Sequence, residues 1–122
     1  SYRYMAQTLG TEWGRELIHP NLWVLEAERR LAETQGVVVI SDVRFENEAT
    51  WIRRKGVLIH VQRPEQELIA ESNHSSEAGI EANPMVDYRI VNTGTLKQLE
   101  SVCESVALKL LRISREGPHY QD

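Results

Sequence analysis

Cysteine, long apolar runs and an excess of basic charge are all missing from this 122-residue sequence. Its one cysteine, Cys103, excludes a disulfide framework within the chain and fits a reducing, cytoplasmic compartment. No apolar run has the length of a membrane span or the form of a secretory signal. The net charge of -4 argues against nucleic acid or a membrane surface as a partner, but it does not exclude a local basic pocket.

The sequence also lacks histidines and cysteines at the spacing of metal ligands. We expect no metal site, because the lone cysteine and the histidines, which are His19, His60, His74 and His119, do not form a ligand set. The length supports one modest core, so we predict a single α/β domain over residues 1–116 and a tail at residues 117–122. The sequence begins at Ser1 and not at Met, so processing, tagging or origin from a longer chain stays open.

A run of four β-branched residues, Val37–Ile40, is the central feature of the sequence. Preceded by Gly36, it predicts a strand buried on both faces, as in a parallel sheet. Asp42 and Arg44 follow on one side of the extended chain, at the strand end where open α/β sheets bind ligands. An arginine fork suits phosphate oxygens, while a carboxylate can accept from a sugar hydroxyl, orient the arginine or hold a metal-bound water. From these residues alone, a phosphate-ligand site and a plain ion pair are equally supported.

The first part of the chain predicts three helical segments. The first, Tyr2–Leu9, should end at Gly10. The pair Gly10 and Thr11 opens the second, either as a simple N-cap, which we favour, or as a seat for an anion. Asn21 is the predicted N-cap of the third. Trp23 lies in its first turn, where it either packs or stacks on a base, and spacing does not decide between these.

Another helix and a second strand follow. Residues 47–55 predict a short helix ending at Gly56, and we interpret its basic end, Arg53–Lys55, as a solvated helix terminus. Val57–Val61 predicts a second buried strand. Residues 64–87 are polar and predict a lid-like loop.

The last part of the chain predicts a third strand at Tyr88–Val91 and then the longest helix, which starts at a capping box, Thr95–Gln98. The order of elements is helices, strand, helix, strand, loop, strand, helix. This order predicts the α/β class, as a three-layer partial domain with a small, mainly parallel sheet of about three strands flanked by helices.

Six segments form a series with a definite order and spacing: Arg3-x-x-x-Gln7-x-x-Gly10-Thr11-Glu12, Trp23-Val24, Val39–Arg44 with Glu48, Ile59–Pro64, His74-x-x-Glu77-Ala78-Gly79 and Val91–Leu99. This series resembles the C-terminal half of the bacteriophage deoxynucleoside monophosphate kinases. The resemblance covers the chain to about Leu111, so it is far more specific than any one motif.

The resemblance implies a P-loop kinase-like fold that transfers the γ-phosphoryl group of ATP, with Mg, to a deoxynucleoside monophosphate. Asp42 and Arg44 would be the catalytic pair at the acceptor nucleotide. The resemblance also implies a set of acceptor-binding residues: Arg3, Gln7, Gly10, Thr11, Glu12, Arg15, Trp23 and Glu48. His74 and Glu77 would belong to the mobile lid, and Asn92, Thr93 and Gly94 to the turn beside the ATP base. All would position groups and neutralise charge, and none would attack the phosphorus.

The sequence departs from this family in one respect. Members carry, upstream, a loop of the type G-x-x-x-x-G-K-[ST] that cradles the ATP phosphates, and these 122 residues contain none. ATP and Mg are therefore expected by resemblance only, without tight binding to this chain alone, which should be catalytically silent. The strand entering that loop would lie between the strands at Val37 and Val57. We expect a homo-oligomer, a missing N-terminal fragment or a closed three-stranded sheet to fill the gap.

Three interpretations of function follow. The chain is a phage-type nucleotide kinase that keeps its acceptor pocket, a non-catalytic nucleotide-binding or regulatory module, or a structural domain that forms a homodimer and uses Asp42 and Arg44 only as an ion pair. No residue pair can be assigned to a base edge, so the sequence does not predict a base preference.

Overall fold

The computed structural model describes residues 1–64 and 79–116. Its elements are α1 (Tyr2–Gln7), a π-helix (Thr8–Ile18), α2 (Leu22–Glu33), α3 (Glu46–Lys55), β1 (Ile59–Gln62), β2 (Tyr88–Val91) and α4 (Leu96–Glu116). The described chain divides into two compact units, residues 1–58 with 79–87 and residues 59–64 with 88–116. The presence of helices and of a small parallel sheet confirms the α/β class. A single domain over residues 1–116 stays a prediction.

The sheet of the second unit consists of two parallel strands. Ile59 in β1 is opposite Tyr88 in β2, and the register continues to Gln62 opposite Val91. The backbone N–H of Asn92 donates to the carbonyl of Gln62 at 2.7 Å, which continues the ladder by one bond. The predicted strand at Tyr88–Val91 is confirmed, and the strand predicted at Val57–Val61 lies at Ile59–Gln62.

The strand predicted at Val37–Ile40 is wrong. These residues form no strand, and their exposed fractions are 76%, 41%, 87% and 44% in chain order, so neither face is buried. None of the backbone hydrogen bonds among the described residues involves them. A strand needs a neighbour to accept its backbone groups, and the described sheet contains only β1 and β2. The three-stranded sheet predicted from the sequence is therefore a two-stranded one in the described residues.

The N-terminal helix does not stop at Gly10. Helical backbone continues from α1 through the π-helix to Ile18, so the predicted N-cap at Gly10 and Thr11 is wrong, and Thr11 is buried inside the helix. The π-helix ends at His19, whose N–H donates to the carbonyl of Gly14, five residues back, at 3.0 Å. Glycine disfavours a helix, but here tertiary contacts of Gly10 and Gly14 offset that propensity.

Helices α2 and α3 are joined by polar contacts. Asn21 is the N-cap residue of α2, as predicted, but its side chain makes no capping bond. Its Oδ1 accepts from Nδ2 of Asn47 at 2.8 Å, and the same Nδ2 donates to the carbonyl of Pro20 at 3.0 Å. Ala49 on α3 is fully buried, and the helix is capped by Gly56 as predicted.

The basic end of α3 is only partly solvated, so the interpretation of Arg53–Lys55 as a solvated terminus is wrong for Arg53. Its Nε and Nη2 donate to Oδ1 and Oδ2 of Asp87 at 2.9 and 2.6 Å, and the Asp87 side chain is only 2% exposed. Nη2 also donates to the carbonyl of Glu81 at 3.1 Å. Hydrogen bonding to Asp87 raises the pKa of Arg53. The described end of the predicted lid, residues 79–87, is thus tied to α3.

Helix α4 begins at the predicted capping box, which is confirmed. Gln98 N–H donates to Oγ1 of Thr95 at 3.3 Å, and Thr95 N–H donates to Oε1 of Gln98 at 2.8 Å. Much of its apolar surface is exposed, including Leu96, Leu108 and Ile113. None of the helices in residues 1–64 and 79–116 is both long and apolar enough to cross a membrane.

Candidate nucleotide site

An ion pair between Arg15 of the π-helix and Glu48 of α3 lies at the centre of the first unit. Arg15 Nη2 donates to Oε1 of Glu48 at 2.6 Å, and each side chain is 17% exposed. The Arg15 guanidinium carbon lies 3.8 Å from the centroid of the Phe45 ring, a cation–π contact. Because the pair is largely shielded from water, dissolved salt screens it less than it screens a surface ion pair.

The carbonyl of Gly10 receives two side-chain donors. Arg15 Nη1 and Trp23 Nε1 both donate to it, each at 2.9 Å. The Trp23 ring packs on Gly14 so closely that a Cβ there would come within 2.9 Å of ring atoms. We call these bonded residues, Gly10, Arg15, Trp23, Phe45 and Glu48, the Arg15–Glu48 cluster.

Glu48 connects this cluster to the segment before α3. Its Oε2 accepts from the backbone N–H of Arg44 at 3.0 Å and from that of Phe45 at 3.3 Å. Glu48 is the third residue of α3, so its carboxylate satisfies a backbone donor at the helix start in the manner of a capping box. One carboxylate thus binds both the Arg15 side chain and the backbone that carries Arg44.

Asp42 and Arg44 lie on the surface beside the cluster. Arg44 Nη2 is 3.7 Å from Oδ1 of Asp42, and the side chains are 42% and 81% exposed respectively. Asp42 has a φ of 59°, in the left-handed region, where aspartate is among the few tolerated residues. Because the two charged groups are 3.7 Å apart and both side chains are exposed to solvent, a ligand can reach either of them.

The turn after β2 forms a second feature, in the other unit. Asn92, Thr93 and Gly94 line an open hollow of about 220 Å³ together with Val91, Gln98, Leu99 and Val102. Another open hollow, of about 350 Å³, is lined by Glu46, Arg53 and residues 81–84. Asp42 and Arg44 line neither of these two hollows.

The structure brings together several residues predicted to bind the acceptor. Gly10, Arg15, Trp23 and Glu48 contact one another, and Arg44 joins them through its backbone. Arg3, Gln7 and Glu12 lie in the N-terminal helical stretch, outside the contacts that define the cluster, and each has an interaction of its own. His74 and Glu77 lie outside the described residues.

Sequence reasoning missed Phe45 and Asp87, and it gave Arg53 no partner. Phe45 could have been found, because Glu48 three residues later marks it as the residue before a helix. The pairing of Arg53 with Asp87, 34 positions away, leaves no local signal. In the part of the chain that the structure describes, no group of three or more His, Cys, Asp or Glu residues could hold a metal ion.

An α/β chain with a fixed carboxylate–guanidinium cluster beside an exposed Asp–Arg pair is suited to holding a phosphorylated ligand. The family model for deoxynucleotide monophosphate kinase matches residues 1–103. The chain belongs to this family, which confirms the resemblance found in the sequence.

Two relatives support the assignment. The chain is 37% identical over 99 residues to the deoxynucleoside-5'-monophosphate kinase of Escherichia phage T5, a match that covers 75% of this chain and 39% of that protein. It is 30% identical over 114 residues to a candidate deoxynucleotide monophosphate kinase of Acanthamoeba polyphaga mimivirus, covering 81% of this chain and 57% of that protein. The chain therefore spans well under two thirds of the length of either relative. No solved structure matches it.

Proposed function

We propose that this chain binds a deoxynucleoside monophosphate through Asp42 and Arg44. The observation that carries the proposal is the exposed Asp42–Arg44 pair next to the half-buried Arg15–Glu48 cluster. The Arg44 guanidinium offers a planar fork to the phosphate oxygens, and the Asp42 carboxylate accepts from a sugar hydroxyl or orients Arg44. By family resemblance, the residues around the acceptor, either in contact with it or behind the residues that contact it, are Gly10, Thr11, Arg15, Trp23 and Glu48. Family membership supports this ligand class, since both relatives carry the name of a kinase for such nucleotides.

In phosphoryl transfer the role of such a site is to place the acceptor phosphate and neutralise its charge. Arg44 would do both by holding phosphate oxygens, and Asp42 would fix the direction of Arg44. The hollow at Asn92–Gly94 fits the proposed position of the ATP base, because it is open and offers amide and hydroxyl groups. A P-loop kinase-like fold belongs to the same proposal.

We further propose that these 122 residues alone bind the acceptor without phosphorylating it. They contain no G-x-x-x-x-G-K-[ST] loop, so no residue set here matches the usual cradle for the ATP phosphates. When bound, ATP with Mg supplies the phosphoryl group and neutralises its charge. The Cys103 thiol fits the reducing compartment, the cytoplasm, in which this nucleotide pool is expected.

Calorimetric titration of the chain with each of the four deoxynucleoside monophosphates tests the proposal. We expect at least one to bind, and Arg44→Ala to weaken binding by roughly tenfold or more because a charge-assisted bidentate contact is lost. The matched control is Arg54→Ala, which removes an exposed arginine from the end of α3. Absence of binding to all four nucleotides, or equal affinity in Arg44→Ala and wild type, would refute the assignment.

A second candidate function, self-association, is favoured by the exposed apolar residues Val37–Ile40. An unpaired β-branched segment is a template for pairing with another chain, and a second copy offers the same segment across a two-fold axis. We expect a concentration-dependent dimer by light scattering, abolished by Val39→Lys and kept by the control Leu17→Lys, which alters another exposed apolar residue. A wild-type monomer at all concentrations would exclude the homodimer and favour a strand from another polypeptide, such as an N-terminal fragment.

A further inference from the structure

The contacts of Glu48 separate it from the residues that a ligand can reach. Its two carboxylate oxygens accept from three donors: Oε1 from Arg15 Nη2, and Oε2 from the backbone N–H groups of Arg44 and Phe45. The side chain is 17% exposed, compared with 42% for Arg44. A carboxylate with this many short contacts has little capacity left to accept from a nucleotide.

Arg15 belongs to the same network of contacts. Its Nη1 donates to the carbonyl of Gly10, its Nη2 donates to Glu48, and the ring of Phe45 covers one face of the guanidinium. At least two of the five N–H donors of Arg15 are thus used, and a phosphate could reach the others only on a side chain that is 17% exposed and covered on one face by Phe45.

We propose that Glu48 and Arg15 are positioning residues for Arg44, and that they do not themselves hold the nucleotide. Glu48 fixes the backbone at Arg44 and Phe45, and Arg15 fixes Glu48 against the π-helix. The Arg44 side chain is then presented from a constrained backbone, so less of its freedom is lost when a phosphate binds. This inference rests on the proposed function, since it assigns how the same site is held.

A double-mutant cycle distinguishes positioning from direct contact. Glu48→Gln keeps the shape of the side chain but removes its charge, and Arg44→Lys keeps a charge but removes the planar fork. Binding of the tightest deoxynucleoside monophosphate is measured by calorimetry for wild type, both single variants and the double variant. We expect Glu48→Gln to weaken binding roughly tenfold, the scale of loss when a group that orients a ligand is removed. In the Arg44→Lys background, Glu48→Gln should weaken nucleotide binding by less than about twofold, because Glu48 acts through Arg44.

The matched control is Glu26→Gln. Glu26 also pairs with arginines, since its carboxylate accepts from Arg29 and Arg30 within α2, but none of these residues belongs to the Arg15–Glu48 cluster. It should leave the dissociation constant unchanged within about twofold. If Glu48→Gln does not fold, as judged by circular dichroism, Arg15→Lys replaces it in the cycle, because it keeps the charge but loses the fork that spans Gly10 and Glu48.

A readout independent of ligand is the hydrogen exchange of the Arg44 and Phe45 amides. Positioning requires that Glu48→Gln accelerate exchange at these two amides more than at the rest of α3, and unchanged exchange there would overturn the inference. Additive losses in the double variant would also overturn it, since they indicate direct contact of Glu48 with the nucleotide. Wild type that binds none of the four nucleotides would remove the proposed function and this inference together, whereas binding with additivity would remove only the inference.

Discussion

Two short segments of this chain, Val37–Ile40 and Tyr88–Val91, were both predicted to be strands and have different structures. Tyr88–Val91 forms β2, pairs with β1 along its length and buries Ile90 to 4% exposure. Val37–Ile40 forms no strand, and Val39 is 87% exposed. The difference shows that β-propensity becomes a strand only where a neighbour accepts the backbone and covers the side chains. Packing against residues that are distant in the chain should therefore decide, more than local sequence does, which substitutions lower the stability of the fold.

The largest expected effect comes from truncating one residue in each segment. Ile90→Ala should lower the free energy of unfolding by about 2–5 kcal/mol, because it leaves a cavity in a packed position. At a concentration at which the chain is monomeric, Val39→Ala should change it by less than about 0.5 kcal/mol, as for other surface positions. Urea denaturation followed by circular dichroism measures both. Equal losses would mean that Val37–Ile40 is covered in solution, which would break the comparison.

A pair of glycines extends the comparison to helical residues. Gly14→Ala would place a Cβ within 2.9 Å of the Trp23 ring and displace the donor to the Gly10 carbonyl, whereas Gly56→Ala meets nothing within 4 Å. We expect Gly14→Ala to cost about 1–3 kcal/mol through overpacking. Gly56→Ala should be close to neutral. Tryptophan fluorescence, recorded with Trp13 and Trp51 replaced by phenylalanine so that Trp23 is the only tryptophan, reports on the ring. An unshifted spectrum in Gly14→Ala would contradict the packing described.

Two adjacent arginines on α3 test whether contacts with distant residues also hold the polar segment 79–87 in place. Arg53 binds the nearly buried Asp87 with two short bonds, while Arg54 is exposed. Arg53→Gln should lower the thermal midpoint and speed proteolysis within residues 79–87, because Asp87 loses its charged partner. Arg54→Gln should do neither. Identical protease maps for the two variants would show that the Arg53–Asp87 contact does not hold this segment.

The smallest expected effect concerns Glu26, on the helix that precedes Val37–Ile40. Hydrogen bonds from Arg29 and then Arg30 lower the pKa of Glu26 from 4.5 to about 2. Because the pKa is lowered on folding, the stabilisation is present above pH 4.5 and is lost as the pH falls toward 2. Glu26→Gln should therefore melt slightly below wild type at pH 6 and together with it near pH 2. The difference should shrink in high salt, since the ion pairs are exposed.

The sequence predicted those elements whose signals are local. The helix ending at Gly56, the strand at Tyr88–Val91 and the capping box at Thr95 were all predicted from residues within a few positions of one another. The helix stop predicted at Gly10 was wrong, because the helix continues with the help of a hydrogen bond from the more distant Trp23 side chain to the Gly10 carbonyl. Glycine alone signals a break, and packing overrides it.

The contacts within the Arg15–Glu48 cluster were not predictable from the sequence. Glu48 and Arg15 were both named from the resemblance, yet 33 positions separate them, and no pattern along the chain indicates that they bind each other. Nor does the sequence indicate that Glu48 also accepts from the Arg44 backbone. Whether Asp42 and Arg44 bind a nucleotide stays a prediction.

The positive φ of Asp42 has a consequence for random mutagenesis of this segment. The side chain is 81% exposed, so its size does not limit which residues fit at this position. The positive φ of the backbone does. Saturation of codon 42, selected only for soluble expression, should enrich glycine and asparagine and deplete valine and isoleucine, since branching at Cβ is least compatible with a left-handed residue. Selection for nucleotide binding in the same library would have to recover aspartate from that narrow set.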